Sequence, residues 1–362
     1  MLNGKDNNLA LDSAITKICS DAIRIVKYAR TLVIKNIDII QLITYYIIGK
    51  WIVEVQQKGE KRAEYGKKVL ETLSITLNNE FGKGFSIATL ENYRKFYITY
   101  KNRIPEPVVR EFIELKTEPV VSELKNIDFM LDWSHYLILM RIENEEERNF
   151  YEIESKKSNW SKRELQRQYN SSLYERLALS KDKNAVMKMA KEGNVIEKPS
   201  DIIKQPTVLE FLGIDEKEEY SESTLESAIL DKLQKFLLEM GKGYLFEKRQ
   251  KRFTFNEDNY YVDLVLYNRL LKCYVLVDLK IDKVTHQDLG QMQMYVNYFD
   301  RYEKKDFENP TIGILLCKEK DDALIELTLP ENANIFASEY KLYLPDKKVL
   351  KEKLKQWIRE SE

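Results

Sequence analysis

Asp263, Asp278 and Lys280 are the residues best placed to do chemistry. They lie in YYVDLVLYNRLLKCYVLVDLK, residues 260–280, where two apolar runs flank a short polar turn. Each run reads as a β-strand, and each carries one acid. Side chains alternate along a strand, so Tyr274, Leu276, Asp278 and Lys280 share one face and Cys273, Val275, Val277 and Leu279 the other. Two carboxylates buried on neighbouring strands repel each other and lose hydration. A hard divalent cation relieves both costs. Mg²⁺ takes a few carboxylates and keeps waters for a phosphate substrate. A lysine beside it can orient the attacking water and offset phosphate charge. D-x14-D-x-K is therefore a phosphodiester-cleaving pattern; its plain alternative is a salt bridge at a strand end.

The flanking elements favour the chemical reading. Upstream, ESTLESAILDKLQKFLLEMGKGY reads as a helix with Leu225, Ile229, Leu233, Phe236, Leu237 and Met240 on one stripe. Glu226 lies about 50° from the stripe's centre, so it leans toward whatever the helix covers, while Asp231 points away. Downstream, THQDLGQMQMYVNYFDRY reads as a second helix with Gln291, Tyr295 and Tyr298 on one face. The order is helix with Glu, strand with Asp, strand with D-x-K, helix with Gln.

With these residues the chain resembles the PD-(D/E)xK nuclease superfamily, and more narrowly the bacterial YhcG-like nucleases, which join a helical N-terminal region to a C-terminal nuclease domain. The resemblance covers most of the chain. It rests on VLEFLG (208–213), LESAILDKLQKFLLEMGKGYLFEKRQ (225–250), the 261–280 hairpin, GQMQMYVN (290–297) and NPTIGILLCKEK (309–320). In the N-terminal half it rests on YGKKVLETLS (65–74), FGKGFSIATLENYRKFY (81–97), LDWSHYLILMRI (131–142), FYEIESKKSNWSKRELQRQ (150–168) and SLYERLALSKDK (172–183). Val262 stands where the superfamily name has proline, and Asp278 replaces the more usual Glu. The resemblance implies a restriction-endonuclease-like α/β fold and a Mg²⁺-dependent nuclease, with Mn²⁺ as a possible substitute. Asp263 and Asp278 would hold the metal with the Leu279 carbonyl, and Glu226 would ligate directly or through water. Lys280 would position the water, and Gln291 would orient Lys280 or contact phosphate. DNA is the expected substrate, in bacterial defence, restriction or recombination, and RNA stays open. The alternative is a non-cleaving nucleic-acid-binding or scaffold component of a DNA-processing complex.

The rest of the sequence must position these groups. The fold class read from it is α + α/β: a helical N-terminal domain able to contain a helix–turn–helix, then an α/β domain with a mixed sheet. Expected helices cover 10–32, 36–58, 64–80, 86–100, 108–124, 134–141, 144–157 and 161–179. Residues 191–206, with Gly193, Pro199 and Pro206 but little apolar rhythm, read as a linker. The expected domains are thus 1–190, binding DNA or a partner, and 207–362, the nuclease. Beyond the hairpin we expect a helix, a strand, a strand or short turn near 324–329, a strand over 338–344 and a C-terminal helix over 346–359.

Two N-terminal segments are candidates to meet nucleic acid. In 81–100, Ser86 caps a helix that follows a glycine turn, and Thr89, Asn92 and Lys95 would face a groove. In 156–176, Lys156, Lys157, Lys162, Arg163, Arg167 and Arg176 would form a basic surface. A helical hairpin inside a bundle and a solvated helix face are the respective alternatives.

Composition sets limits. The 362 residues are 43% apolar and 32% charged, with net charge −1. Residues 1–200 carry roughly +5 and residues 201–362 roughly −6, which suits a basic DNA-contacting half and an acidic metal-binding half. Three cysteines without metal spacing suit a reducing cytoplasm. Two histidines far apart in sequence argue against histidine-based metal or triad chemistry. No run of about 18 apolar residues suggests a membrane span, and residues 31–53 read as a buried amphipathic helix. A homodimer would suit a double-strand cut.

Overall fold

The computed structural model describes residues 14–27, 37–58, 63–114, 127, 129, 131–181, 183–215, 219–255, 257–330 and 332–360. The outer parts of the expected helices 10–32 and 108–124 lie outside these. The chain divides into two compact units, Met1–Arg148 and Asn149–Glu362.

The first unit is helical: α1 (residues 14–27), α2 (Ile37–Lys58), α3 (Ala63–Phe81), α4 (Ile87–Thr99), α5 (Glu106–Ile113) and α6 (Trp133–Leu139). Its core follows from branched apolar residues at helical spacing, with Ile43, Ile47, Ile48 and Ile52 of α2 fully buried. Helix α2 approaches α4 so closely that a Cβ on Gly49 would lie 2.1 Å from the Tyr93 carbonyl oxygen. Only glycine fits there. The turn from α3 to α4 is tied by Asn78, whose Oδ1 accepts the Phe85 N–H at 3.1 Å. Ser86 then caps α4, accepting from the Thr89 N–H at 3.2 Å, as its type and position predict.

The second unit opens with α7 (Glu145–Lys157), which spans the division, then α8 (Lys162–Asn170), α9 (Leu173–Ala178) and α10 (Lys183–Glu192). The single helix expected over 161–179 breaks at Ser172, which adopts φ 56°. The sheet comprises β1 (Thr207–Val208), β2 (Tyr244–Phe255), β3 (Asp258–Asn268), β4 (Cys273–Lys283), β5 (Ile312–Glu319) and β6 (Ile335–Lys341) in the order β1-β6-β5-β4-β3-β2. The β2–β3–β4 pairs are antiparallel and the β4–β5–β6–β1 pairs parallel. The mixed sheet is therefore as expected.

Helices cover both faces. On one lie α11 (Glu222–Asp231) and α12 (Leu233–Met240), where Leu225, Ile229 and Phe236 meet Val275, Val277 and Leu279. The expected continuous helix breaks at Lys232, φ −120°. On the other lies α13 (His286–Tyr298), where Leu289, Met292 and Tyr295 meet Val265, Leu276 and Leu315. The alternation of β4 thus divides the two cores as its sequence dictates.

Residues 322–328, expected as a strand or turn, form helix α14 (Asp322–Thr328). Asp321 caps it by accepting the Leu324 N–H at 3.1 Å. The expected strand over 338–344 starts earlier, at Ile335, and α15 (Lys347–Glu360) closes the chain.

The expected linker 191–206 is packed into the second unit, as are helices α8 to α10. Glu154 accepts the Asn194 N–H at 2.8 Å and the Lys242 ammonium at 2.7 Å. Asp201 pairs with Lys181 at 2.7 Å and accepts the N–H groups of Glu197 and Lys198. Ile202 and Ile203 are buried. Polar anchors of this kind leave no apolar rhythm to read. Among the described residues no helix is long and apolar enough to cross a membrane.

Candidate active site

The β3–β4 ladder ends at Leu264↔Val277, one residue before Asp263 and Asp278. Past that pair, the Leu279 N–H is taken at 2.9 Å by Asp263 Oδ2. Asp263 Oδ1 accepts from Gln250 Nε2 at 2.9 Å. The same amide nitrogen donates to Glu226 Oε2, also at 2.9 Å. Gln250 therefore stands between two acids, one from α11 and one from β3. The other Glu226 oxygen, Oε1, is buried with no hydrogen-bond partner.

Asp278 is 4% exposed. Burial pushes its carboxyl up to about 7, the facing Asp263 carboxylate adds to this, and Lys280 only partly opposes it. Lys280 Nζ lies 2.9 Å from Asp278, 3.8 Å from Asp288 and 3.9 Å from Glu222. Burial works against its charge, but Asp278, Glu222 and Asp288 outweigh it and hold its pKa above the usual lysine value. These acids favour the ammonium form of Lys280, which can donate to water or phosphate. Asp288 is itself fixed by a capping box with Thr285 at the start of α13. One turn on, Gln291 donates to the Tyr295 hydroxyl. Burial, then the Asp278 charge, pushes that phenol up to about 12.

Four of the five residues read from the sequence, Glu226, Asp263, Asp278 and Lys280, thus form one chain of contacts through Gln250 and Leu279. Gln291 lies on the helix covering Asp278, but its hydrogen bond goes to Tyr295 and not to Lys280. Among the described residues no three His, Cys, Asp or Glu side chains converge into a ready-made cation cage. The Gln250 amide stands between Glu226 and Asp263. The donor set still fits a hard divalent ion. It is all oxygen, it includes an orphaned buried carboxylate oxygen, and two facing carboxylates suffice for an ion that keeps most of its waters.

The nucleic-acid candidates fare unevenly. Thr89 is half-buried with its hydroxyl 2.9 Å from Ser86 Oγ. Asn92 is half-buried and Lys95 exposed. Lys162 and Arg163 are exposed on α8. Arg167 is not free for phosphate: it pairs with Glu210 at 3.0 Å and Glu239 at 3.3 Å. Arg176, read as surface, is fully buried. Helical periodicity cannot show that acids far along the chain neutralise these two arginines.

Comparison with known proteins bears on what this site does. Residues 200–355 match the YhcG PDDEXK nuclease domain, and residues 21–176 match the DUF1016 N-terminal domain. A protein of Escherichia coli (strain K12) named "Putative nuclease YhcG" is 36% identical over 347 residues, 92% of this chain and 91% of that protein. The chain belongs to the YhcG family of PD-(D/E)xK nucleases. A crystal structure of a repair endonuclease from Pyrococcus abyssi matches 35% of this chain and 50% of its own, at 21% identity and a TM-score of 0.24.

Within this YhcG-family nuclease domain, Gln250 is the site residue the sequence conceals. It sits in EKRQKRF, a run that reads as a charged strand. Its backbone is left-handed, φ 43°, a conformation that non-glycine residues adopt at a cost. A glutamine among four basic residues, one strand before the first acid, is the only available signal. Gln250→Ala keeps that strain and loses both donors. It should cost about 1.5–3 kcal/mol, or roughly 3–12 °C in melting temperature without metal. Saturating divalent cation should shrink the loss, because a cation held between Glu226 and Asp263 would also offset their charge. An unchanged metal-free melt would show that the amide does not hold the two acids.

Proposed function

We propose that this protein is a Mg²⁺-dependent nuclease that hydrolyses phosphodiester bonds of DNA, in bacterial defence, restriction or recombination. Mn²⁺ is the expected substitute. The observation that carries this is the ladder end where Asp263 and the buried Asp278 face each other beside the Lys280 ammonium. Asp263 and Asp278, with the Leu279 carbonyl, would hold the cation, and Glu226 would reach it through water. When bound, the cation would supply Lewis acidity at the phosphoryl oxygen and a more acidic water. Lys280, tethered by three acids, holds its ammonium where it can orient that water for in-line attack and offset charge on phosphorus. Tyr295 keeps Gln291 pointed along α13, ready for a backbone phosphate. The basic helices, with Thr89, Asn92, Lys95, Lys162 and Arg163, would position the DNA backbone. Three buried, free cysteines suit a reducing cytoplasm.

The test is cleavage by the full chain of single-stranded, duplex and branched DNA, and of RNA, in Mg²⁺, Mn²⁺ or EDTA. Metal-dependent cleavage of DNA is the expected result. Lys280→Ala should lower the rate by at least ~10²-fold, while the metal-induced rise in melting temperature survives, because the lysine acts on water and phosphate. No cleavage of any nucleic acid would overturn the reading in favour of a non-cleaving binder. Wild-type rates in Lys280→Ala would overturn the role of the lysine.

A further inference from the structure

Strand β2 ends the sheet, so among the described residues one of its edges has no partner strand. That edge strand carries Lys248, Arg249, Lys251 and Arg252 around Gln250. Lys251 is paired with Glu303 at 3.2 Å, and Arg252 Nε donates to the Asn259 amide oxygen at 3.0 Å. Lys248, Arg249 and Arg252 are exposed, with no acid in ion-pair reach among the described residues. Glu247, Glu257 and Asp258 are the strand's and its turn's own exposed acids. Three residues past Gln250 the strand turns aromatic. Phe253 stacks on Tyr298 of α13, centroids 4.0 Å apart and planes 18° apart, and Tyr298 meets Tyr302 at 5.1 Å.

These rings border an open cleft of about 310 Å³, within the size range of small-molecule sites. Phe255 is 49% and Tyr302 64% exposed on its rim, and Arg301 stands beside them. Its lining also includes Gln293. Gln293 donates to Asn297 at 3.2 Å, while Gln293 Oε1 is buried and has no donor. Gly290, also in the lining, leaves open space where a side chain would be and adjoins Gln291. The cleft thus draws its lining from β2 and α13, the two elements that also carry Gln250 and Gln291.

We propose that this surface is a subsite for an unpaired nucleotide. Phosphates run along the basic edge of β2 at Lys248 and Arg249, and one splayed base stacks between Phe255 and Tyr302. A base paired in a duplex can offer neither face to such a cleft. The proposal rests on the nuclease reading and adds the substrate class: DNA with a single-stranded or frayed segment at the cut. Charged side chains also guard edge strands against aggregation, but that role needs no exposed aromatic cleft beside them.

The test is binding by the full chain in EDTA, read by anisotropy of a fluorescein-labelled oligothymidylate and of a blunt duplex. Phe255→Ala/Tyr302→Ala should weaken single-strand binding by about 10- to 100-fold, since base–aromatic stacking is worth about 1–3 kcal/mol per base. Duplex binding should stay within about twofold. Both positions are exposed, and Phe255→Leu/Tyr302→Leu, which keeps apolar bulk and removes the π-face, should weaken binding in the same direction. An abasic spacer scanned along the oligonucleotide should weaken wild type at one position and leave the double variant indifferent. Unchanged single-strand affinity, or equal loss on both DNAs, overturns the subsite. If wild type then still cleaves DNA with metal, the nuclease reading stands and an apolar side chain of a partner protein becomes the cleft's occupant. If wild type neither binds nor cleaves any DNA in Mg²⁺ or Mn²⁺, both fall.

Discussion

Asp278→Asn should lower cleavage by at least ~10²-fold and yet make the metal-free protein more stable at neutral pH. The two effects share a cause. Burial and the facing Asp263 raise the Asp278 carboxyl to about 7 from an ordinary value of 3.8. Between those values the folded chain keeps a proton that the unfolded chain has released. Stability therefore falls as pH rises from about 4 to about 7, and stays at the lower level above that. At about 1.4 kcal/mol per pKa unit, the upper bound on this contribution is roughly 4 kcal/mol. Asn has nearly the same shape and no charge, so it removes the slope. The gain is reduced because Lys280 loses the negative charge of its 2.9 Å partner and is left with those of Asp288 and Glu222. Divalent cation should raise the wild-type melting temperature at pH 7–8, since only the folded state gathers both carboxylates. In Asp278→Asn that rise should largely vanish. Melts from pH 4 to 8.5, in EDTA and in Mg²⁺ or Mn²⁺, check this together with a cleavage assay. Superimposable pH profiles for variant and wild type would overturn the electrostatic account, and wild-type cleavage would overturn the site.

The hairpin of Asp263, Asp278 and Lys280 is legible in the sequence because strand alternation is strict. One apolar face of β4 meets α11 and α12 and the other meets α13, so the acid and the lysine have one place to go. The cap at Ser86 is legible for a similar reason, since residue type and position suffice. Gln250 is not legible, because its role depends on a left-handed backbone and on two acids 13 and 24 residues away. Segment 191–206 reads as a linker because its anchors, Glu154, Lys181 and Lys242, are charged residues that any solvated segment could contain. The two helix breaks, at Ser172 and Lys232, interrupt apolar stripes that continue across them, so periodicity passes over both. Of the six basic residues read over 156–176, Lys156, Lys157, Lys162 and Arg163 are exposed, while Arg167 and Arg176 are drawn inward.

Those two arginines lead to the largest expected loss of stability, from Glu239→Gln. Glu239 and Arg176 are fully buried and paired at 2.6 Å. Glu239 also takes Arg167 at 3.3 Å and the Val208 N–H at 3.0 Å. Lys204 donates to its backbone carbonyl. Burial opposes the Glu239 charge, but Arg176, Lys204 and Arg167 overcome it and bring the carboxyl down to about 2. Burial, with the two arginines adding, brings Lys204 down to about 8 despite Glu239. Glutamine keeps the shape and removes the one charge that these three cations share in common. Breaking a buried pair from one side costs about 3–5 kcal/mol, so the unit should melt roughly 6–20 °C lower. The acid limb gives a second reading. A carboxyl lowered from 4.5 to about 2 contributes stability that is complete above 4.5 and lost as pH falls toward 2. Wild type should lose it in that window, and Glu239→Gln should have none to lose. Glu239→Leu combined with Arg176→Met should recover only part of the loss, because it removes the lone buried arginine but still leaves Lys204, Arg167 and the Val208 N–H without Glu239. A single variant melting within about 1 °C of wild type would show that the remaining acids, Glu210 and Glu154, carry these cations without Glu239. The cluster ties α8 and α9 to β1, so its loss should also raise protease sensitivity between residues 160 and 206 while the Asp263–Asp278 hairpin stays protected.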